Sequence, residues 1–388
     1  MNYSESSLPA QGVAAAASQN RLASIDILRG LALFGVLMVN LITEFRVSIF
    51  QQFLPQPAEA QLLQRAVLGF VHEALELKAF ALFSFLFGVG LAMQFERLSP
   101  TGRAYYWLTR RLLILLVLGL IHLLLIWNGD ILTEYALAGL LVLPLLGARR
   151  SALAWTALAL LALYLILPGL PLPLGWPDEQ WLAQHIGRAN AVYAAGSWWQ
   201  VLQFGWSELP ALLPLHVYIF PRTLALFVLG MLAWRSGLFA DAAAQRGRLL
   251  LGGCLLGAAG VILTAAGQAG LLAGLAPVCL ALACAALLVL AAGSAPVQRG
   301  LLPFAALGRM AFTNYILQSL IFGAIFFGYG LGQFGKLAPA PVFVLGVGVY
   351  ALQLALSRIW LRHFRFGPIE WCWRTLMYGR RQPMQRAI

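Results

Sequence analysis

Charged side chains are scarce in this sequence: only 10% of its 388 residues are Asp, Glu, Lys or Arg, while 61% are hydrophobic. A soluble domain carries about a quarter charged residues. A water-soluble globule of this length would lack the surface charge it needs, so a soluble enzyme is excluded. Cysteine is scarce as well. Cys254, Cys279, Cys284 and Cys372 form no CxxC pair and have no histidine at ligand spacing, which leaves neither a zinc site nor a disulfide framework, and no metal is expected. Also missing are a Walker A loop, a G-x-G-x-x-G after a strand, HExxH and G-x-S-x-G. Nucleotide hydrolysis, Rossmann cofactor binding and two hydrolase classes are therefore unsupported, and no permanently bound cofactor is expected. No inverted repeat is visible, which weighs against one common transporter architecture.

What the sequence does contain is a series of long apolar runs flanked by arginine. They predict an all-α polytopic membrane protein, with about ten transmembrane helices in one bundle. The expected spans are 25–42, 72–95, 112–128, 131–147, 152–167, about 209–235, 249–267, 271–292, 303–328 and 342–361. The sixth is interrupted by Pro210, Pro214 and Pro221, which in a membrane helix usually produce kinks. Residues 1–20, rich in Ser, Ala and Gln, have no apolar core or A-x-A site of a signal peptide and read as a disordered tail. The chain then divides into an N-terminal transmembrane half (21–170), an outer interfacial segment with five of the twelve tryptophans (171–208), a C-terminal half (209–361) and a basic interfacial tail (362–388). The net charge of +12 sits mostly at span ends, where it orients the chain instead of marking a nucleic-acid stripe. Ten spans with about 20 of the 26 basic residues on one side place both termini in the cytoplasm.

Polar residues within the spans are the informative ones, because a charge at the bilayer centre costs about 2.5–3.5 kcal/mol on insertion scales and needs a partner or a cavity. Arg222 and Lys78 are such charges. Arg222 reads as half of an ion pair, as a snorkelling side chain or as an anion site, with Asp130, Glu134 and Glu76 as candidate partners. His122, roughly 16 Å along its helix from Arg111, and His72, followed by Glu73, Glu76 and Lys78, are the candidate catalytic histidines. The alternative for either is an interhelical hydrogen bond. His185, His216 and His363 read as loop or interface residues. Arg29, Arg110, Arg111 and Arg309 are able to gather phosphates at the cytoplasmic mouth if they converge, since guanidinium groups bind phosphate bidentately. Asp26, three residues before Arg29, reads as an anchor at the helix start. Asn314 and Gln318, with Thr313, form a polar stripe that suits helix glue or a pocket wall.

The runs RLASIDILRGLALFGVLMVN (Arg21 to Asn40), KAFALFSFLFGVG (Lys78 to Gly90), RRLLILLVLGLIHLLLIWNGDILTEYALAGLLVLP (Arg110 to Pro144), GRMAFTNYILQS (Gly308 to Ser319) and GPIEWCWRTLMYG (Gly367 to Gly379) together resemble the bacterial YeiB-like integral membrane family, whose C-terminal half is a domain of unknown function. That family is similar to a wider group of transmembrane acyltransferases that includes heparan-α-glucosaminide N-acetyltransferase, and the opening motif with Asn40 looks like that enzyme's first span. The resemblance implies a bacterial inner-membrane protein that takes an acyl group from cytoplasmic acyl-CoA and passes it to a small-molecule, glycan or lipid acceptor. In that reading Arg29, Arg110, Arg111 and Arg309 hold the donor, and His72 or His122 acts at the transfer point with Asn40 and Glu76 or Glu134 orienting it. The alternative is a transporter or channel for a small anionic metabolite or lipid, with Arg222 as the anion site. Association into a homodimer stays open.

Overall fold

The computed structural model describes residues 8–54, 61–239, 244–267 and 270–386, with side chains from Ala23 on. Every named element among them is helical. Helix α1 (Leu8–Asn40) ends in a π turn, Leu41–Phe45. Helix α2 (Leu62–Phe70) runs into a second π turn, Val71–Leu75, before α3 (Lys78–Leu98). Helices α4 (Ala104–Leu125) and α5 (Leu132–Val142) form a hairpin, followed by α6 (Arg150–Ile166), α7 (Glu179–Ala195) and the long α8 (Trp198–Arg235). The rest comprises α9 (Arg246–Ala265), α10 (Ala276–Ala292), α11 (Ala295–Arg309), α12 (Ala311–Phe326), α13 (Pro339–His363) and α14 (Pro368–Tyr378).

The chain is an all-helical membrane protein, and eight of its described helical segments are long and apolar enough to cross a bilayer. A hydrocarbon core of about 30 Å asks for about 20 helical residues. The expected fourth and ninth spans are shorter than that. The fourth is the 11-residue α5, tightened into a 3-10 turn at Leu143–Gly147 where Pro144 enters. The ninth is broken at Met310, which leaves the helical region and separates α11 from the 16-residue α12. Helix α1 extends back to Leu8, so residues 8–20 are helical where a disordered tail was expected; residues 1–7 lie outside the described set. The prolines of the sixth span leave α8 continuous over 38 residues.

One hydrophobic core runs from Ile25 to Trp373 and unites the two expected halves. It is drawn together by glycines that let backbones touch. On α3 and α8, a Cβ added to Gly88 would stand 2.0 Å from the Phe227 carbonyl oxygen, and one on Gly230 would stand 2.1 Å from that of Phe85. Helices α1 and α11 use the same device, with Gly30 against the Phe304 carbonyl and Gly308 against that of Asp26. These two seams hold α1, α3, α8 and α11 in contact. The chain segments just beyond α1 and just before α3, together with the middle of α8, then enclose a cavity.

Candidate functional site

The cavity has a volume of about 480 Å³, within the range of small-molecule sites. Its wall is built where regular helix gives way. The π turn at the end of α1 supplies Thr43 and Glu44, and the chain after the second π turn supplies Glu76 and Leu77. π turns and strained backbone both concentrate at functional sites, and Leu77 is the one non-glycine residue with positive φ among the described residues, at 59°. The loop between α4 and α5 adds Trp127 to Ile131, while α8 adds Glu208, His216, Arg222 and Thr223.

Five carboxylates line this space, and four of them carry a histidine. Asp130 Oδ1 lies 2.8 Å from His122 Nδ1, while its Oδ2 accepts the Thr133 backbone N–H at 2.7 Å and so caps α5. Glu208 meets His185 Nε2 at 2.7 Å and accepts from Asn128 Nδ2 at 2.8 Å and from the Tyr193 hydroxyl. Glu134 accepts from Thr223 Oγ1 at 2.7 Å and pairs with His216 at 3.2 Å. Glu76 is bonded to His72 Nδ1 one turn back. Only Glu44 makes no hydrogen bond among the described residues. Its carboxylate lies over Gly129, where an added Cβ would stand 2.4 Å from Oε2. Tyr193, on α7 outside the spanning helices, has its hydroxyl pKa raised well above the usual value by burial and by Glu208 beside it, so it stays a donor.

Arg222 does not have the carboxylate partner expected for it. Asp130, Glu134 and Glu76 are engaged elsewhere, and the ion pairs among the described residues are Arg29–Asp26 and the four histidine pairs. The Arg222 side chain is buried, its Nε and Nη1 have no hydrogen-bond partner, and its guanidinium lies 5.7 Å from the Tyr164 ring. Lys78 forms no ion pair either, and its ammonium donates to the His72 carbonyl at 3.3 Å, closing the π turn.

The two candidate histidines separate cleanly. His122 is fully buried with both ring nitrogens engaged, Nδ1 at Asp130 and Nε2 at the Ser319 hydroxyl 2.9 Å away. His72 is 41% exposed at its side chain, with Nδ1 held by Glu76. Asn40 lies in the cavity wall. Asn314 and Gln318 face α13 instead: Asn314 Nδ2 donates to Ser357 Oγ at 3.0 Å and Gln318 Nε2 to Gln353 Oε1 at 2.8 Å, which is the helix-glue alternative. His185 is not a loop residue but a buried one, at 3% exposure.

At the end of α4 where Arg110 and Arg111 lie, a second group forms. Arg111 stacks 3.7 Å over the Trp373 ring, its Nε is buried without a partner, and Arg29 and Arg374 act on it electrostatically. Arg29 Nη2 lies beside Gly90 on α3 and pairs with Asp26 at 3.2 Å. Burial lowers the Arg374 pKa below the usual arginine value, and Arg97 adds to the shift. Of the four expected arginines, Arg29 and Arg111 therefore converge, and Arg309 acts electrostatically on Asp26 beside Arg29. Arg110 donates to the Leu376 carbonyl at 2.9 Å and Arg309 to that of Arg365 at 3.3 Å, so both tie down the C-terminal segment. Arg374 was not singled out from the sequence. The signal for it is its place beside Trp373 on α14, whose tryptophan covers Arg111.

Comparison with known proteins adds no activity. Residues 233–380 match the family described as "Protein of unknown function (DUF418)". The "Uncharacterized protein YxaH" of Bacillus subtilis is 32% identical over 95% of this chain and 97% of its own length. The "Uncharacterized protein YeiB" of Escherichia coli is 30% identical over 92% of this chain and 96% of its own. The shared length takes in both the histidine–carboxylate cavity and the arginine group, and the chain belongs to the YeiB-like family of membrane proteins.

Proposed function

We propose that this protein is a transmembrane acyltransferase-like enzyme of the bacterial inner membrane, with both termini and the arginine group on the cytoplasmic side and the cavity on the outer side. The observation that carries the reading is the His72–Glu76 dyad. Glu76 holds Nδ1 and thereby fixes the ring, and it places the dyad beside the cavity that Glu76 and Leu77 line. A histidine oriented through one nitrogen by a carboxylate acts as a general base through the other. His72 Nε2 takes the proton of an acceptor hydroxyl or amine, and the acceptor heteroatom attacks the thioester carbonyl. The C–S bond breaks, and the sulfur leaves with a proton as free CoA. Arg29, Arg111 and Arg374 hold the donor's phosphates, where the unpartnered Nε of Arg111 is one donor awaiting an anion. Asn40 stands in the cavity wall to orient the acceptor.

The test is CoA release from radiolabelled acetyl-CoA and longer acyl-CoAs by the purified protein. His72→Ala is expected to abolish release with thermal unfolding unchanged. Release that survives in His72→Ala overturns the assignment, and no release with any donor overturns the reaction class. One observation favours a second reading, transport of a small anion, because the unpartnered Arg222 needs a counter-charge whether or not chemistry follows. Transport predicts flux in proteoliposomes that survives His72→Ala and is lost in Arg222→Gln.

A further inference from the structure

Two ionisable side chains in the cavity wall, Arg222 and Glu44, are left without hydrogen-bond partners at their charged ends among the described residues. Arg222 is 3% exposed, lines the cavity, and has Nε and Nη1 without hydrogen bonds. These two nitrogens lose their hydration without a hydrogen bond in return. The neighbouring carboxylate does not relieve it, because Glu134 is turned to Thr223 and His216. Around the guanidinium stand Tyr164, whose ring is at cation–π distance, and Tyr135, on whose hydroxyl Arg222 acts. On a different part of the wall, Glu44 is the one lining carboxylate with neither a histidine nor a donor. Its electrostatic neighbours are Glu208 and Glu76, so it too gains from a ligand that brings donors.

We infer that the cavity binds a small dipolar molecule, with a phosphate or carboxylate on Arg222 and hydroxyl or ammonium donors on Glu44. The proposal rests on the acyl-transfer reading only in naming this molecule as the acceptor; the binding itself requires no reaction. The geometry suits such a ligand for three reasons. The volume of about 480 Å³ exceeds what a bare phosphate would fill. The aromatic rings of Trp127 beside Glu44 and of Tyr135 and Tyr164 beside Arg222 offer apolar faces for the ligand body. The other four carboxylates each already have a histidine as hydrogen-bond partner, which leaves Glu44 as the acceptor open to the ligand's donors.

The same chemistry arrives on a soluble acidic sugar or on a lipid headgroup, and the experiment separates the two. The full-length protein in phosphatidylcholine nanodiscs is titrated, without any acyl donor, with glucose 6-phosphate, glucose and inorganic phosphate, and binding is read by calorimetry and thermal shift. Glucose 6-phosphate is expected to bind at least ten-fold more tightly than either part alone. Arg222→Gln is expected to lose at least ten-fold in affinity for both glucose 6-phosphate and phosphate, with Arg222→Lys intermediate. Glu44→Gln is expected to weaken glucose 6-phosphate and leave phosphate unchanged. Thermal unfolding of each variant without ligand shows that it is folded.

Binding that persists in phosphatidylglycerol nanodiscs supports the proposal with a soluble ligand, and displacement by phosphatidylglycerol supports it with a lipid headgroup. Equal affinity for glucose and glucose 6-phosphate, or unchanged binding in Arg222→Gln, overturns it. Because no donor is present, that failure is distinct from failure of the acyltransferase reading, which CoA release decides on its own.

Discussion

His122 Nε2 lies 2.9 Å from the Ser319 hydroxyl and so ties α4 to α12 across the buried core. With Nδ1 on Asp130, the ring uses both of its hydrogen-bonding positions, and no face of it lines the cavity. The arrangement repeats a hydrolase triad in distances, but Ser319 is 3% exposed and has no route to a substrate from that cavity.

The role of His122 is therefore to position Asp130 and lock two helices, and His122→Ala is expected to lower stability before it affects chemistry. Removing the ring takes one hydrogen bond each from the buried Ser319 hydroxyl, which keeps the Tyr315 carbonyl, and the buried Asp130 carboxylate, which keeps the Thr133 N–H, at roughly 0.5–1.5 kcal/mol for each lost bond. The measurement is thermal unfolding of the purified variant beside His72→Ala. A His122→Ala protein that melts like wild type yet releases no CoA would make His122 the catalytic residue.

Gly88→Ala is expected to destabilise the bundle strongly. The new methyl group would meet the Phe227 carbonyl, a backbone atom that cannot rotate aside, and overpacking of this kind costs about 1–3 kcal/mol. Gly230→Ala should behave the same way. Gly252→Ala on α9, where nothing stands within 4 Å of an added Cβ, is the control. Equal melting temperatures for all three would mean the α3–α8 seam is looser than drawn.

The arginines divide into two classes in a way that CoA binding can read. Arg111→Ala and Arg374→Ala should each weaken CoA binding by about ten-fold or more, since a charge-assisted hydrogen bond contributes roughly 1.5–3 kcal/mol. Arg110→Ala, which removes bonds to the Leu376 carbonyl and the Tyr106 hydroxyl, should weaken it less. The affinities should fall with added salt for wild type and flatten in the first two variants. Identical losses across all of them would show a diffuse basic surface in place of a site.

Glu370 provides a pH test away from the spanning helices. It accepts the Phe312 and Thr313 backbone N–H groups at 2.9 and 3.0 Å and so caps the start of α12. Burial nonetheless raises its pKa above the usual glutamate value, against the lowering effect of its bonds to Thr313. The folded state then holds this proton more tightly than the unfolded chain. Its contribution to stability is fully present below the unfolded value and declines as pH rises through the folded one. Melting temperatures of wild type and Glu370→Gln measured across pH should diverge in that window, with wild type losing ground as pH rises. Parallel curves would contradict the shift.

Much of the architecture was legible from apolar run length and flanking arginines, and Arg222 stood out as a charge within a span. What hid the rest was local geometry and distance along the chain. Glu44 follows the expected end of the first span, and only a π turn carries it into the cavity wall. His185 and Glu208 are 23 positions apart on α7 and α8, in a segment whose tryptophans suggested an interface. The ion pair expected for Arg222 followed from the cost of a lone charge. That cost is real, but the nearby carboxylates are already bound to histidine, threonine or backbone donors.

The π turns also determine which changes of chain length the site can survive. A π turn holds one residue more than the α geometry on either side, so deleting a single residue within Leu41–Phe45 would let the helix close into regular form. Because the wide turn absorbs that residue, the chain on either side would keep its direction, while the bulge that sets Glu44 over Gly129 would be lost and α1 itself would remain intact. In this protein a one-residue deletion at that point is thus gentler on the bundle than most core substitutions and harsher on the site.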